Sequence, residues 1–353
     1  MKSKNYFKTS KCVIVLGMHR SGTSVLTHAI ETLGAYLGSK PIDAKKDNEK
    51  GFFENTTVLR YNQDILTSLN CSWDSILIPN LTQQQVTENS NLLTELICRE
   101  YKHINFWGIK DPRIIRLNII WQETFQNLNI TPYYLLANRN PQEVANSLYL
   151  RNKINICVSL LLWLQHQIDS LELIIEHGGI VIDYNKMLSK PRHEIDRLAK
   201  FLEIDTHLHE EKIEHFTQDF LSKDLHHNKN NTEACFFPDL NSLCDKVYNH
   251  LSQLSASPDS LLANKEKVQH SKNIISEVRN YLKQNEGLIL EFHNITSTHT
   301  QNINKVTVEY ENKILALTKE KNILQSRINW ITNRPIYILF KKAKKCYTFL
   351  CKK

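Results

Sequence analysis

No two of the eight cysteines stand in a C-x-x-C pair, and no set of cysteines and histidines has zinc-ligand spacing. That excludes the common structural zinc modules. Cys12, Cys71, Cys98, Cys157, Cys235, Cys244, Cys346 and Cys351 are scattered singly, a usage that goes with a reducing compartment. No apolar run approaches the ~18 residues that would span a bilayer. The opening MKSKNYFKTSKC is polar up to the first strand pattern and lacks the apolar core of a signal peptide. The expectation is a cytoplasmic protein. Acidic side chains are missing from residues 336–353, whose six lysines account for six of the seven net positive charges on the 353 residues. The rest of the chain is near neutral, so no nucleic-acid partner is expected. With 41% apolar and 23% charged residues the composition is that of a globular protein. The length suits one large α/β domain with an appendage, or two modest domains.

Four short apolar runs, residues 13–16, 106–109, 133–137 and 180–182, read as buried parallel strands. Each is followed by charged or glycine-containing residues and then by a helical pattern. Over residues 24–34, Val25, Leu26, Ala29, Ile30 and Leu33 recur at helical spacing. Residues 141–150 and 191–202 read the same way, each with proline at or near the first turn. Strands alternating with helices predict a three-layer α/β/α domain with a mostly parallel sheet. Ligands of such a sheet bind beyond the carboxyl ends of its strands.

The loop after the first run is Gly17-Met18-His19-Arg20-Ser21-Gly22-Thr23-Ser24. A strand–loop–helix of this kind points backbone N–H groups inward and adds the partial positive charge of a helix N-terminus. It is P-loop-like, except that Thr23 stands where G-x-x-x-x-G-K-[ST] has lysine. Without that lysine, phosphoryl transfer is poorly served, while Arg20 offers a bidentate fork to an anion. Here the chain resembles the sulfotransferases that use 3′-phosphoadenosine 5′-phosphosulfate (PAPS). Their 5′-phosphosulfate loop often reads G-x-x-R-S-G-T-[ST], and Arg20, Ser21, Gly22, Thr23 and Ser24 match it. The resemblance covers residues 11–230 and implies PAPS as donor, with no metal required.

The third strand is followed by Arg139-Asn140-Pro141, with Ser147 eight residues after Arg139. An arginine at a strand end and a hydroxyl two turns along the next helix can share one phosphate. The resemblance assigns this pair to the 3′-phosphate, which ATP lacks. Arg151 matches a further arginine of the tyrosylprotein sulfotransferase branch. Val181-Ile182-Asp183-Tyr184-Asn185 resembles the family's V-x-Y-E strand end, which would bring Tyr184 to the nucleotide; Asn185 departs from the family's glutamate.

Sulfuryl transfer needs a base for the acceptor's proton, cations facing the SO₃ group, and a leaving phosphate held in line. Glu54, in Gly51-Phe52-Phe53-Glu54-Asn55, is the candidate base, because apolar neighbours would raise its pKa. Its motif resembles the G-x-x-E-N segment of bacterial glycan sulfotransferases. Lys110, in Gly108-Ile109-Lys110-Asp111-Pro112-Arg113, resembles the lysine that faces the transferring group in tyrosylprotein sulfotransferases and joins Arg20 as catalytic cation. Asp111 and Arg113 are either an orienting pair or acceptor contacts, and His19 can reach either substrate. His28 reads as a packed or solvated histidine. His226 and His227 resemble a late basic motif that closes over the nucleotide.

The domain so defined spans residues 11–295. Residues 218–300, rich in Asn, Ser and His, are assigned to helices and loops that close it. A helical or coiled-coil segment, 300–333, follows. Ile303, Tyr310, Leu317, Leu324 and Ile331 repeat every seven residues, and Val306, Ile314 and Ile328 partly fill a second seam. Lys313, Glu320 and Arg327 fall at its other positions. A solvated helix and a homo-oligomeric coiled coil both fit. Residues 334–353 form a basic amphipathic tail, suited to peripheral contact with an anionic membrane or to a partner. The motif spacing, and the order of Ser326, Trp330, Thr332 and Pro335, resemble bacterial polysaccharide enzymes, so a carbohydrate acceptor is expected. A tyrosylprotein sulfotransferase, a P-loop kinase and a non-catalytic coiled-coil scaffold are the alternatives.

Overall fold

The computed structural model describes residues 7, 9–39, 54–220, 235, 237, 239–257 and 260–333, with the backbone alone at 219–220, 296–312, 314 and 331. The motif residues Gly51, Phe52, Phe53, His226 and His227 and the basic tail lie outside the described residues. The chain forms two compact units, Met1–Ile289 and Leu290–Lys353.

The first unit is built on four parallel strands, β1 (Lys11–Leu16), β2 (Phe106–Lys110), β3 (Tyr133–Asn138) and β4 (Gly179–Asp183), in the order β2-β1-β3-β4. They are the four apolar runs, lengthened by one or two residues. Strands covered on both faces need apolar side chains on both, hence continuous runs rather than alternation. The helices are α1 (Thr23–Thr32), α2 (Thr56–Ser68), α3 (Gln83–Tyr101), α4 (Arg113–Arg116), α5 (Asn118–Leu128), α6 (Pro141–Asn152), α7 (Ile156–His177), α8 (Tyr184–Ser189), α9 (Pro191–Leu202), α10 (Glu210–His215), α11 (Leu240–Leu254), α12 (Lys265–Gln284) and α13 (Glu286–Thr332). The expected three-layer α/β/α class is the one observed.

One face of the sheet presents Val13, Val15, Leu135, Ala137, Ile180 and Ile182 to a buried cluster with Leu26 and Ile30 of α1, Leu33 just after it, and Ile195, Leu198 and Leu202 of α9. Pro141 and Pro191 each begin a helix at its first turn, where the missing N–H costs nothing. Against β3 and β4 packs α7, with Leu160–Leu164 all buried. The first half of α7, residues 156–164, is buried on every side and carries no amphipathic stripe, so it has no periodic signature in the sequence. From α11, the Ser252 hydroxyl accepts from Asn138 Nδ2 (3.0 Å) and donates to Asp183 Oδ2 (2.9 Å), tying that helix to the ends of β3 and β4.

Cys157, in the first turn of α7, is disulfide-bonded to Cys235, 78 positions later, with Cα atoms 5.1 Å apart. This corrects the reading of every thiol as isolated, since chain spacing does not show which cysteines a fold brings within bonding range. Scattered positions along the chain therefore say nothing about a reducing compartment. Among the described residues Cys12, Cys71, Cys98 and Cys244 are free, and no described helix is long and apolar enough to cross a membrane.

Candidate active site

The carboxyl ends of all four strands carry the residues singled out by sequence. The order β2-β1-β3-β4 puts the change of winding direction between β1 and β3, the position at which open α/β sheets bind their ligands. The chain leaves β1 through Gly17 (φ 129°), passes Arg20 in the left-handed region (φ 70°), and enters α1 through Gly22 (φ 88°). Arginine in that conformation costs about 1 kcal/mol, a strain of the kind held at ligand loops. A Cβ on Gly22 would overlap Cδ2 of Tyr184, so the tyrosine ring lies directly on the loop backbone. Gly22 also brings no capping side chain to the first-turn amides of α1, which leaves the positive end of that helix to a ligand. The Ser21 hydroxyl and His19 Nε2 are buried without a hydrogen-bond partner among the described residues. Buried polar atoms of this kind are rarely left so in a finished site.

Arg139 and Ser147, the pair expected to hold a second phosphate, join the same cluster. Arg20 Nε donates to Ser147 Oγ (2.8 Å), and an Arg139 terminal nitrogen donates to the Arg20 carbonyl (3.1 Å). Arg139 Nε donates to Glu143 Oε2 (3.0 Å), and its guanidinium carbon sits 4.3 Å from the centre of the Tyr184 ring. Burial pushes the Tyr184 phenol up, against the charges of Arg139 and Arg20. Arg20, Arg139, Ser147 and Tyr184, drawn from three strand ends and α6, therefore meet at one place. Arg151 is four residues beyond Ser147 on α6, the spacing of one helix face.

At the end of β2, Lys110 Nζ donates to Glu54 Oε1 at 2.5 Å, and both side chains are buried. Asn55 caps α2 through the amides of Thr57 (2.9 Å) and Val58 (3.2 Å) and donates to the Tyr101 hydroxyl (3.2 Å). Glu54 thus precedes the helix cap rather than standing in a first turn. Its expected aromatic neighbours lie outside the described residues, and the contact observed is an ammonium group.

Asp111 is held on both oxygens. Oδ1 accepts from the Arg113 backbone (3.0 Å) and guanidinium (2.8 Å), and Oδ2 accepts from Asn62 Nδ2 (2.9 Å). Asn62 in turn accepts from Trp121 Nε1 (3.1 Å). Of the two roles open to it, this geometry is that of an orienting group. Arg113 Nε is buried without a partner among the described residues. His19 packs edge-on against Trp73, with ring centres 4.4 Å apart. Burial, followed by the charges of Arg113, Lys110, His166 and Arg151, holds its pKa well below the ordinary 6.5, so the imidazole is neutral. His28 is elsewhere, bonded to Glu31 (2.8 Å).

Sequence reasoning missed Glu143, Trp73 and Asn62. Glu143 had a usable signal, lying four residues after Arg139 in the first turn of α6. Trp73 and Asn62 had none, because their partners come from distant chain segments.

These features define a three-layer α/β protein with a P-loop-like turn between β1 and α1. No family model matches the chain, and no curated protein matches it. Among solved structures, the sulfotransferase domain from the Synechococcus PCC 7002 olefin synthase is similar at 16% identity and a TM-score of 0.43, over 68% of this chain and 95% of that one. A likeness so distant carries nothing about function.

Proposed function

We propose that the chain is a sulfotransferase that moves a sulfuryl group from PAPS to a carbohydrate hydroxyl. The observation that carries this reading is the contact of Arg20, in a lysine-free P-loop, with Ser147 and Arg139 at the end of β3. One anion cradle adjoins a second pair of phosphate-binding side chains, as a nucleotide with phosphates on both its 5′ and 3′ positions requires. The unsatisfied Ser21 hydroxyl and the uncapped amides of α1 suit the 5′-phosphosulfate. Arg139 and Ser147 suit the 3′-phosphate, with Arg151 beside them and Tyr184 against the nucleotide.

In the reaction, the acceptor oxygen forms a bond to sulfur as the bond from sulfur to the 5′-phosphate oxygen breaks. Glu54 takes the hydroxyl proton, and adenosine 3′,5′-bisphosphate leaves with the electron pair. Lys110 and Arg20 face the charge that spreads over the SO₃ oxygens and the leaving phosphate. Lys110 must therefore turn from Glu54 toward the donor, and that exchange frees the carboxylate for the acceptor. Arg113, aimed by Asp111, and neutral His19 line the acceptor side. The G-x-x-E-N resemblance around Glu54 supports a sugar over a tyrosine.

Calorimetric titration tests the reading. Adenosine 3′,5′-bisphosphate should bind without metal, and Arg139→Ala should weaken it by about tenfold to a hundredfold, as loss of charge-assisted hydrogen bonds of 1.5–3 kcal/mol would. Binding of ADP only, and only with Mg²⁺, would point to a kinase; no binding of either would point to a scaffold.

A further inference from the structure

We infer that α13 pairs with the same helix of a second copy of this chain, as a parallel, in-register, two-stranded coiled coil over residues 307–331. This rests on nothing in the sulfotransferase reading. The helix runs unbroken over Glu286–Thr332. Within it Leu317, Leu324 and Ile328 are 64%, 49% and 52% exposed, so among the described residues of its own unit this apolar line has no cover.

One heptad frame accounts for the line. With Thr307, Ile314, Lys321 and Ile328 at a, and Tyr310, Leu317, Leu324 and Ile331 at d, six of the eight seam positions are apolar or aromatic. The frame also moves Lys313, Glu320 and Arg327 off the seam to the flanking g positions. A sustained seven-residue period keeps the seam facing a partner only if two helices supercoil.

The occupant follows from the residues on the seam. β-Branched isoleucine at a with leucine at d favours two parallel strands. Lys321 is the one charged seam residue. In a two-stranded coil its stem can lie over the seam while the ammonium reaches water, whereas three or four strands would enclose it. In a parallel, in-register pair each a side chain packs beside the g residue that precedes the facing a. Lys321 then meets Glu320 of the second copy, and the two-fold axis repeats the contact. A shift by one heptad sets Lys321 beside Lys313 or Arg327 instead. The helix is thus complementary to itself in charge as well as in apolar pattern, and in one register.

Light scattering and sedimentation of the full chain over ~1–100 μM, the range of ordinary protein association, should give twice the monomer mass. The Leu317→Asp/Leu324→Asp chain should be a monomer whose α/β unit keeps its thermal transition. Lys321→Glu should loosen the dimer at least about tenfold, because like charges then face each other, and Glu320→Lys/Lys321→Glu should restore it. Leu324→Cys should give a covalent dimer under mild oxidation, beyond anything the unsubstituted chain forms with its own cysteines. Monomers throughout that range, a mass of three or more copies, a dimer indifferent to Leu317→Asp/Leu324→Asp, or no cross-link at position 324 would each overturn the inference.

Discussion

Glu54 and Lys110 hold each other in a buried pair, so neither can be judged from sequence neighbours alone. The chain separates them by more than fifty residues, and only the packing of α2 against α3 and against α4, the helix that follows β2, brings them to 2.5 Å. Arg20, Arg139 and Ser147 were easier to find, because each sits at a fixed offset from a strand end and the offset itself is the signal. The Glu54–Lys110 pair sets a double test. Glu54→Gln keeps the shape but leaves the ammonium buried beside a neutral amide, which costs roughly 3 kcal/mol of stability. Adding Lys110→Met should recover much of that loss. Neither change should restore transfer of labelled sulfate from PAPS to a polysaccharide panel, which should fall ~100-fold or more with the base gone. Bisphosphate binding by Glu54→Gln should stay within about threefold of the unsubstituted chain. If the double variant regains both stability and transfer, the pair is a structural salt bridge and the base lies elsewhere.

The turn from β1 into α1 is the element on which the site depends. Its conformation asks for glycine at residue 22 twice over, by φ and by the Tyr184 ring lying against it. Gly22→Ala should destabilise the protein by about 1–3 kcal/mol and abolish measurable bisphosphate binding, since the ring must move to admit the methyl group. Thermal melting and the same titration read the two effects separately. Binding at unsubstituted strength would show that the Tyr184 contact has no part in the cradle. The elements legible in the sequence share a cause: buried parallel strands are short apolar runs, and prolines mark the starts of α6 and α9. The illegible ones share another. Leu160–Leu164 lie in the half of α7 that is buried on every side, and Cys157 meets Cys235 across 78 positions. No local period encodes either fact. The heptads of α13 are legible for the opposite reason, as a sustained period whose Leu317, Leu324 and Ile328 are exposed.

At the scale of the whole molecule, buried neutral histidines set the response to acid. His166 bonds the Leu162 carbonyl (2.7 Å), and burial, with the charge of Arg116, lowers its pKa to about 3. His250 bonds Ser271 (2.8 Å), and burial, with His270 beside it, lowers its pKa to about 4. His19 shifts the same way. In each case the folded pKa lies below the ordinary 6.5, so below that pH the unfolded chain binds more protons than the folded one. Stability is then fully present above about pH 6.5 and is lost as pH falls toward the folded values. At pH 5, one and a half units below 6.5 at about 1.4 kcal/mol per unit, His166 and His250 each remove about 2 kcal/mol. Asp169, pushed up by burial, acts in the opposite sense, but it is one group against three. Chemical denaturation should therefore show a clear loss of stability between pH 7 and pH 5. In His250→Gln that loss should be smaller by about 2 kcal/mol, whatever the variant's stability at pH 7. An unsubstituted chain equally stable at both pH values would mean that these imidazoles take up protons without opening the fold, and that the packing of α7 and α11 admits water.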